Sequence, residues 1–311
     1  MSDANQSPAA STADAAPMAD DGADTAGTPA PTAGRKPAAR SATRRPRDTD
    51  GADSGRLFVT ALARGLDVLS AFRASDGPLG NQELAERTGL PKPTVSRITH
   101  TLMEMGYLSY NPRLANYELG GRTLKLAFTA LERLDIRRIA RPLMQELANN
   151  GDMNISLTLR ERLSVICIET CEGSALIGLR LPVGARMPIA TTSSGKAWLA
   201  GATPEERAAV LDELKRQKPA DYPKLRDAVA AAVAEVREKG FCTSIGEWQR
   251  DINGAGTPII LPNGRGVYAL GLGGPAYLLG EQDINDRYGP MLARTARAIA
   301  DHLGGVIHPP E

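Results

Sequence analysis

The sequence predicts an α+β chain of two folded parts, a small helical head followed by a larger domain built on a mostly antiparallel sheet covered by helices. Three observations carry this. Residues 80–104, GNQELAERTGLPKPTVSRITHTLME, hold two short helical patterns across a tight break, in the order of a helix-turn-helix. Two short strand patterns follow directly. From Asn154 onward, runs rich in Ile, Val and Leu alternate with helical periods.

The chain has 311 residues, room for about two domains. Residues 1–55 are almost entirely Ala, Ser, Thr, Pro, Gly, Asp and Arg, and no Leu, Ile, Val or aromatic residue precedes Leu57. Such a segment buries too little apolar surface to offset its ordering entropy, so a disordered tail is expected. Residues 1–34 carry five Asp and no Lys or Arg, whereas Arg35, Lys36, Arg40, Arg44, Arg45 and Arg47 crowd the next thirteen positions. That basic run is either a source of salt-sensitive contacts to nucleic-acid phosphates or a solvated tail.

Residues 56–120 are expected to form the helical head. Leu62, Leu66, Leu69 and Phe72, spaced by four and three, predict the apolar stripe of a first helix packed behind the other two. Small Ala85 and Gly89 suit two helices that cross closely, with a backbone position of positive φ between them. On the next helix Val95, Ile98 and Leu102 share the buried face, and Pro91 and Pro93 fall in the first turn, where they are tolerated. Lys92, Thr94, Ser96, Arg97, His100 and Thr101 are left facing out. Arg97 can give a bidentate pair of hydrogen bonds to guanine, and the hydroxyls can reach bases or phosphates. The same pattern would serve a solvated helix pair; the neighbouring parts favour a reader of double-stranded operator DNA. Tyr107, Leu108 and Tyr110, the turn NPRLA, then Tyr117 and Leu119 predict a hairpin, the wing of a winged helix-turn-helix. Arg113 at its tip is either a minor-groove or phosphate contact or an ordinary turn residue.

Residues 121–135 read as a linker helix, and Ile139, Leu143 and Leu147 as a second helix ending near Gly151. A helix joining two domains is a natural lever and a contact for a homodimer or homotetramer. The second domain is assigned to residues 136–308. Strands are expected at 154–159, 164–169, 176–181, 187–190, 241–245, 256–261 and 266–271, and helices at 194–199, 205–214, 224–239 and 283–303.

One stretch of that domain has the chemistry of a small-molecule site. In PVGARMPIATTSSGKAWLAG (182–201) a strand runs through four hydroxyls into a helix. A helix start offers free N–H groups and the positive end of the dipole to a carboxylate. Lys196 would either add charge or sit in solvent, and Ser193 or Ser194 is the expected cap. Enzyme readings of the stretch are weak. Ala190 and Ala197 break a phosphate-binding loop. Ser193 to Lys196 matches SxxK, but no SDN or KTG accompanies it. Cys167, Cys171 and Cys242 form no CxxC, and His100, His302 and His308 cluster with no other ligands, so no metal or cofactor is expected. The absence of a long apolar run argues against a membrane location and for the cytoplasm.

Taken together, FVTALARGLDVLSAF (58–72), LAERTGLPKPTVSRITHTLMEMGYL (84–108), YELGGRTLKLA (117–127) and VGARMPIATTSSGKAWLA (183–200) resemble the IclR family of bacterial transcriptional regulators. GFCTSIGEW (240–248) and YALGLGGP (268–275) are similar to strands that close that family's effector pocket. The resemblance implies a winged helix-turn-helix joined to a GAF-like effector-binding domain, assembled as a dimer or a dimer of dimers on palindromic operators. It makes the protein a regulator and no enzyme; an enzyme of small organic acids is the rival. It implies effector contacts at Ser193, Ser194 and Gly195, and at Ser244, Gly254, Gly271 and Gly273. The sheet positions here are glycine where members that bind small carboxylates have serine. Lost hydroxyls and volume predict a larger, less polar acid, aromatic or otherwise bulky. An activator would also have to touch RNA polymerase, for which no motif is evident.

Overall fold

The computed structural model describes residues 58–73, 76–151, 153–174, 179–262 and 265–308. The expectations for the tail, for its basic run and for most of the strand at 176–181 lie outside these residues; positions 179–181 are not in a strand.

The head contains α1 (Thr60–Ser70), α2 (Asn81–Thr88) and α3 (Lys92–Glu104), then β1 (Leu108–Asn111) paired antiparallel with β2 (Asn116–Leu119). Gly89 closes α2 at φ +68°, a conformation that costs glycine nothing and other residues more. The core of the head is Val68, Leu79, Leu84, Val95, Leu108 and Tyr117. This corrects the stripe expected on α1. Leu69 and Phe72 pack against the core, but Leu62 and Leu66 are 61% and 53% exposed, and Val68 takes the fully buried position. So small a core is covered by the last turns of α1 alone, and its first turns run past it. Arg87 fastens α1 to α2, donating to the carbonyl of Ala71 at 2.9 Å and pairing with Asp76.

α4 (Gly121–Glu132) follows, with no buried residue, then α5 (Asp135–Gly151). On α5, Arg137 and Arg141 lie one turn apart and both pair with Glu169, a carboxylate only 4% exposed. A carboxylate so buried is stable only with such partners.

The second domain is a six-stranded antiparallel sheet in the order β5-β4-β3-β8-β7-β6. Its strands are β3 (Asn154–Glu161), β4 (Ser164–Cys171), β5 (Arg186–Pro188), β6 (Cys242–Ile245), β7 (Ile252–Leu261) and β8 (Gly266–Pro275). Against one face, α5 and the closing helical segment α9 (281–303) bury Met144, Leu147, Ile155, Leu270, Leu292 and Ile299. One π turn, Ile284–Tyr288, interrupts α9. The other face carries α6 (Ser193–Gly201), with α7 (Pro204–Gln217) and α8 (Tyr222–Lys239) outside it. Every residue of α6 is buried, and the side chain of Arg207 on α7 donates to the carbonyls of Leu199 and Ala202 at its C-terminal end.

Candidate functional site

The outward face of α3 has the expected residues with one adjustment. Lys92, Ser96, Arg97, His100 and Thr101 are exposed, whereas Thr94 is half-buried. The side chains of Ser96, Arg97 and His100 make no hydrogen bond or ion pair among the described residues, so their donors remain available to a ligand. Lys92 Nζ donates to Gln82 Oε1 at 3.0 Å, and the Thr101 hydroxyl donates to the Arg97 carbonyl at 3.0 Å. Thr99, a position that apolar periodicity passes over, is fully buried and donates to Asn81 Oδ1 at 3.1 Å, locking α3 against α2. Arg113 is exposed in the β1–β2 turn. Asn111 Oδ1 shapes that turn by accepting the N–H groups of Arg113 and Leu114 at 3.0 and 3.4 Å.

The second site is a cleft between the start of α6 and the sheet. Its space measures about 480 Å³, counted out into the open mouth. Ser193, Ser194, Ser244, Gly254 and Gly273 line it; Gly195 and Gly271 do not. Leu179, Leu181, Met187, Trp248, Ile252 and Leu272 supply an apolar wall. Most of that wall comes from positions that carry no chemistry of their own in the sequence, and only the folded sheet brings them together.

The cap of α6 is Thr192, not Ser193 or Ser194 as expected. Thr192 Oγ1 accepts the Gly195 N–H at 3.2 Å and donates to the Pro188 carbonyl at 2.8 Å. This leaves the Ser193 and Ser194 hydroxyls, and the amide N–H groups of the same two residues, without a partner among the described residues. Ser244, in contrast, donates to the Thr191 carbonyl at 2.8 Å, and the Asn253 amide is held by the Leu279 carbonyl at 2.9 Å. Unpaired donors are thus concentrated at the helix start, where the dipole also favours an anion.

The glycines of the sheet act differently from expectation. A Cβ on Gly271 would stand 2.1 Å from Ser194 Oγ, and one on Gly256 would stand 2.3 Å from the Ser193 carbonyl oxygen. On Gly254 it would meet the Leu272 carbonyl oxygen at 2.6 Å and Ser193 Oγ at 3.0 Å. At Gly271 and Gly256 the missing side chains therefore do not enlarge the cleft, since their space is filled by α6, whereas a Cβ on Gly273 would meet only the tip of Leu179 at 3.2 Å and the Asn253 carbonyl oxygen at 3.5 Å. Gly195 is likewise structural, since its Cβ would lie 2.2 Å from the Ile189 carbonyl oxygen. Lys196 is neither in solvent nor in the cleft wall; it is buried and ion-paired with Glu247.

The thiols offer no nucleophile. Burial pushes those of Cys167 and Cys242 up to about 12 and raises that of Cys171. Among the described residues no group of three or more His, Cys, Asp or Glu could hold a metal ion, and no helix is long and apolar enough to cross a membrane.

Comparison with known proteins places both domains in one family. Residues 61–112 match the IclR helix-turn-helix domain, and residues 128–301 the bacterial transcriptional regulator IclR C-terminal domain. The chain is 33% identical over 249 residues to the HTH-type transcriptional regulator TsaQ1/TsaQ2 of Comamonas testosteroni, covering 79% of this chain and 89% of that protein. An IclR family transcriptional regulator from Brucella abortus superposes with a TM-score of 0.71 at 37% identity, covering 82% of this chain and 97% of that one. An IclR homologue from Microbacterium hydrocarbonoxydans, crystallised with 4-hydroxybenzoate, has the same fold, with a TM-score of 0.62 at 24% identity over 78% of this chain and 99% of that one. A helix-turn-helix with a free polar face, a regulatory second domain and the match of both to one family lead to one conclusion: the chain belongs to the IclR family of DNA-binding transcriptional regulators, and is no enzyme.

Proposed function

We propose that the protein reads operator DNA with Ser96, Arg97, His100 and Thr101 of α3, supported by Lys92 and Thr94 and by Arg113 on the wing, and that a small organic acid in the α6 cleft controls this binding. The observation that carries the effector class is the set of four unpaired donors at Ser193 and Ser194, opening into a cleft with one apolar wall, built by residues such as Leu179, Met187 and Trp248, beside polar lining from Asn154, Thr170 and Asn253. Such a site holds a carboxylate at one end and a hydrophobic body at the other. The fold is compatible with this, since the Microbacterium hydrocarbonoxydans protein was crystallised with 4-hydroxybenzoate.

We assign the DNA-reading head to residues 56–120, the linker to 121–135 and the effector domain to 136–308. Phe58, Leu62 and Leu66 on or beside α1, and Leu124, Leu126 and Phe128 on α4, are more than half exposed, an apolar surface suited to a second copy of the chain in a cytoplasmic homo-oligomer. The effector changes the balance between arrangements of paired heads, with a coupling of about 1–3 kcal/mol. By linkage, operator DNA changes effector affinity by the same factor.

The test is twofold. Thermal-shift screening should find stabilisation by benzoate-type acids above that by glyoxylate or pyruvate; stabilisation by the two small acids alone would refute the class. Fluorescence anisotropy on DNA from upstream of its own gene, against random duplex at physiological salt, should show specific binding that the same acids shift.

A further inference from the structure

Lys196 is the fourth residue of α6, and its position costs twice. Its charge is buried, at 3% exposure, and it lies near the positive end of a helix dipole. An apolar side chain would fill the space without either cost, and a buried ion pair adds little net stability. What the pair does provide is a fixed location for its partner. That partner is Glu247, in the turn between β6 and β7, whose side chain is 29% exposed. The next residue, Trp248, is half-buried, lines the cleft and packs on the core beneath α6.

The base of this turn is closed by its own backbone. Gly246, at φ +61°, donates to the Ile252 carbonyl and to Asn253 Oδ1, both at 3.1 Å, and Ile252 donates to the Gln249 carbonyl at 2.9 Å. Between these points, the Glu247 carboxylate pairs with Lys196 and the Trp248 side chain packs against the core beneath α6.

We infer that Glu247 is a positioning residue: its ion pair with Lys196 clasps the Trp248 turn to α6, so that the wall of the cleft and the helix that anchors the carboxylate move as one piece and effector exchange requires the clasp to open. This rests on the reading of the cleft as the effector site, but it can be tested without a ligand. The chain has two tryptophans, and Trp198 is 5% exposed with its indole N–H donated to the Val267 carbonyl at 2.9 Å, so it serves as a protected reference.

Acrylamide quenching of the ligand-free full-length protein is the deciding measurement, with Trp248→Phe to assign the accessible component. Glu247→Gln should raise the quenching constant of that component about twofold or more, and Glu247→Asp should fall between the two. Glu247→Gln leaves a buried ammonium unpaired and can unfold the chain. The double variant Lys196→Met/Glu247→Gln removes both charges, and should melt close to the parent yet quench as Glu247→Gln does. A double variant that keeps Trp248 as protected as in the parent overturns the clasp. Stopped-flow release of benzoate adds a second arm. Release should quicken by the same factor as quenching; an unchanged release rate from a loosened turn would show that exchange bypasses it. Failure of benzoate to bind any form counts against the proposed effector class and leaves the quenching result standing.

Discussion

Gly256→Ala tests the approach of the start of α6 to the backbone of the sheet. A Cβ there would stand 2.3 Å from the Ser193 carbonyl oxygen, 2.6 Å from its carbon and 3.0 Å from Ala197 Cβ, where ordinary contact begins at 3.4 Å. The first two atoms are backbone and cannot rotate away. Relief requires either the start of α6 to lift from the sheet by about 1 Å or β7 to bend, and overpacking of this kind costs about 2–3 kcal/mol. For a domain of this size that corresponds to a fall of roughly 5–10 °C in melting temperature, read by circular dichroism on the full chain. Acid binding should weaken as well, because the lifted turn carries the Ser193 and Ser194 donors. Gly65→Ala is the control: nothing lies within 4 Å of its Cβ, and the residue sits inside α1, so the change should stabilise by about 0.5–1 kcal/mol. A Gly256→Ala protein that melts within about 1 °C of the parent would refute the claim that α6 rests on the sheet backbone.

Three further outcomes are expected. Arg97→Ala should cost about 1–3 kcal/mol on the operator and little on random duplex; equal losses in anisotropy would make Arg97 a phosphate contact. Ser194→Ala should weaken acid binding by about 1 kcal/mol, roughly fivefold by titration calorimetry, without lowering the melting temperature, and an unchanged affinity would remove that hydroxyl from the site. The Arg87 guanidinium, chiefly through its hydrogen bond, holds the Asp76 carboxyl below its ordinary 3.8. A depressed native value stabilises the folded head above the ordinary carboxylate range, and this contribution is lost as pH falls through the native value. Asp76→Asn should therefore flatten the dependence of head stability on pH below about pH 4, and an unaltered acid limb would count against the pair.

How much of this was legible in the sequence depended on the kind of physics involved. Local signals carried well: Gly89 marked a left-handed cap, and the order of strands and helices after Asn154 gave an antiparallel sheet covered by helices. Periodicity on α1 gave an apolar stripe but not its neighbour, and a stripe that meets another chain looks the same as one that meets a core. The helix start at 193–195 was found through its hydroxyls, yet Thr192 proved to be the cap, because capping depends on which oxygen reaches the third amide. The glycines misled most. A sequence states that a side chain is missing, but not whose atoms take its place. The burial of Lys196 had no local signature either, since its partner lies 51 residues away.

The contact between Ser194 and Gly271 has a consequence for how such a site diversifies. The two positions share room for one hydroxyl, supplied here from the helix. Gly271→Ser alone should be disruptive, and Ser194→Gly alone should leave a hole. The two together should recover much of the loss, with the non-additivity expected of residues in direct contact. The two positions therefore act as one unit: whichever of them carries the hydroxyl, the other must stay small.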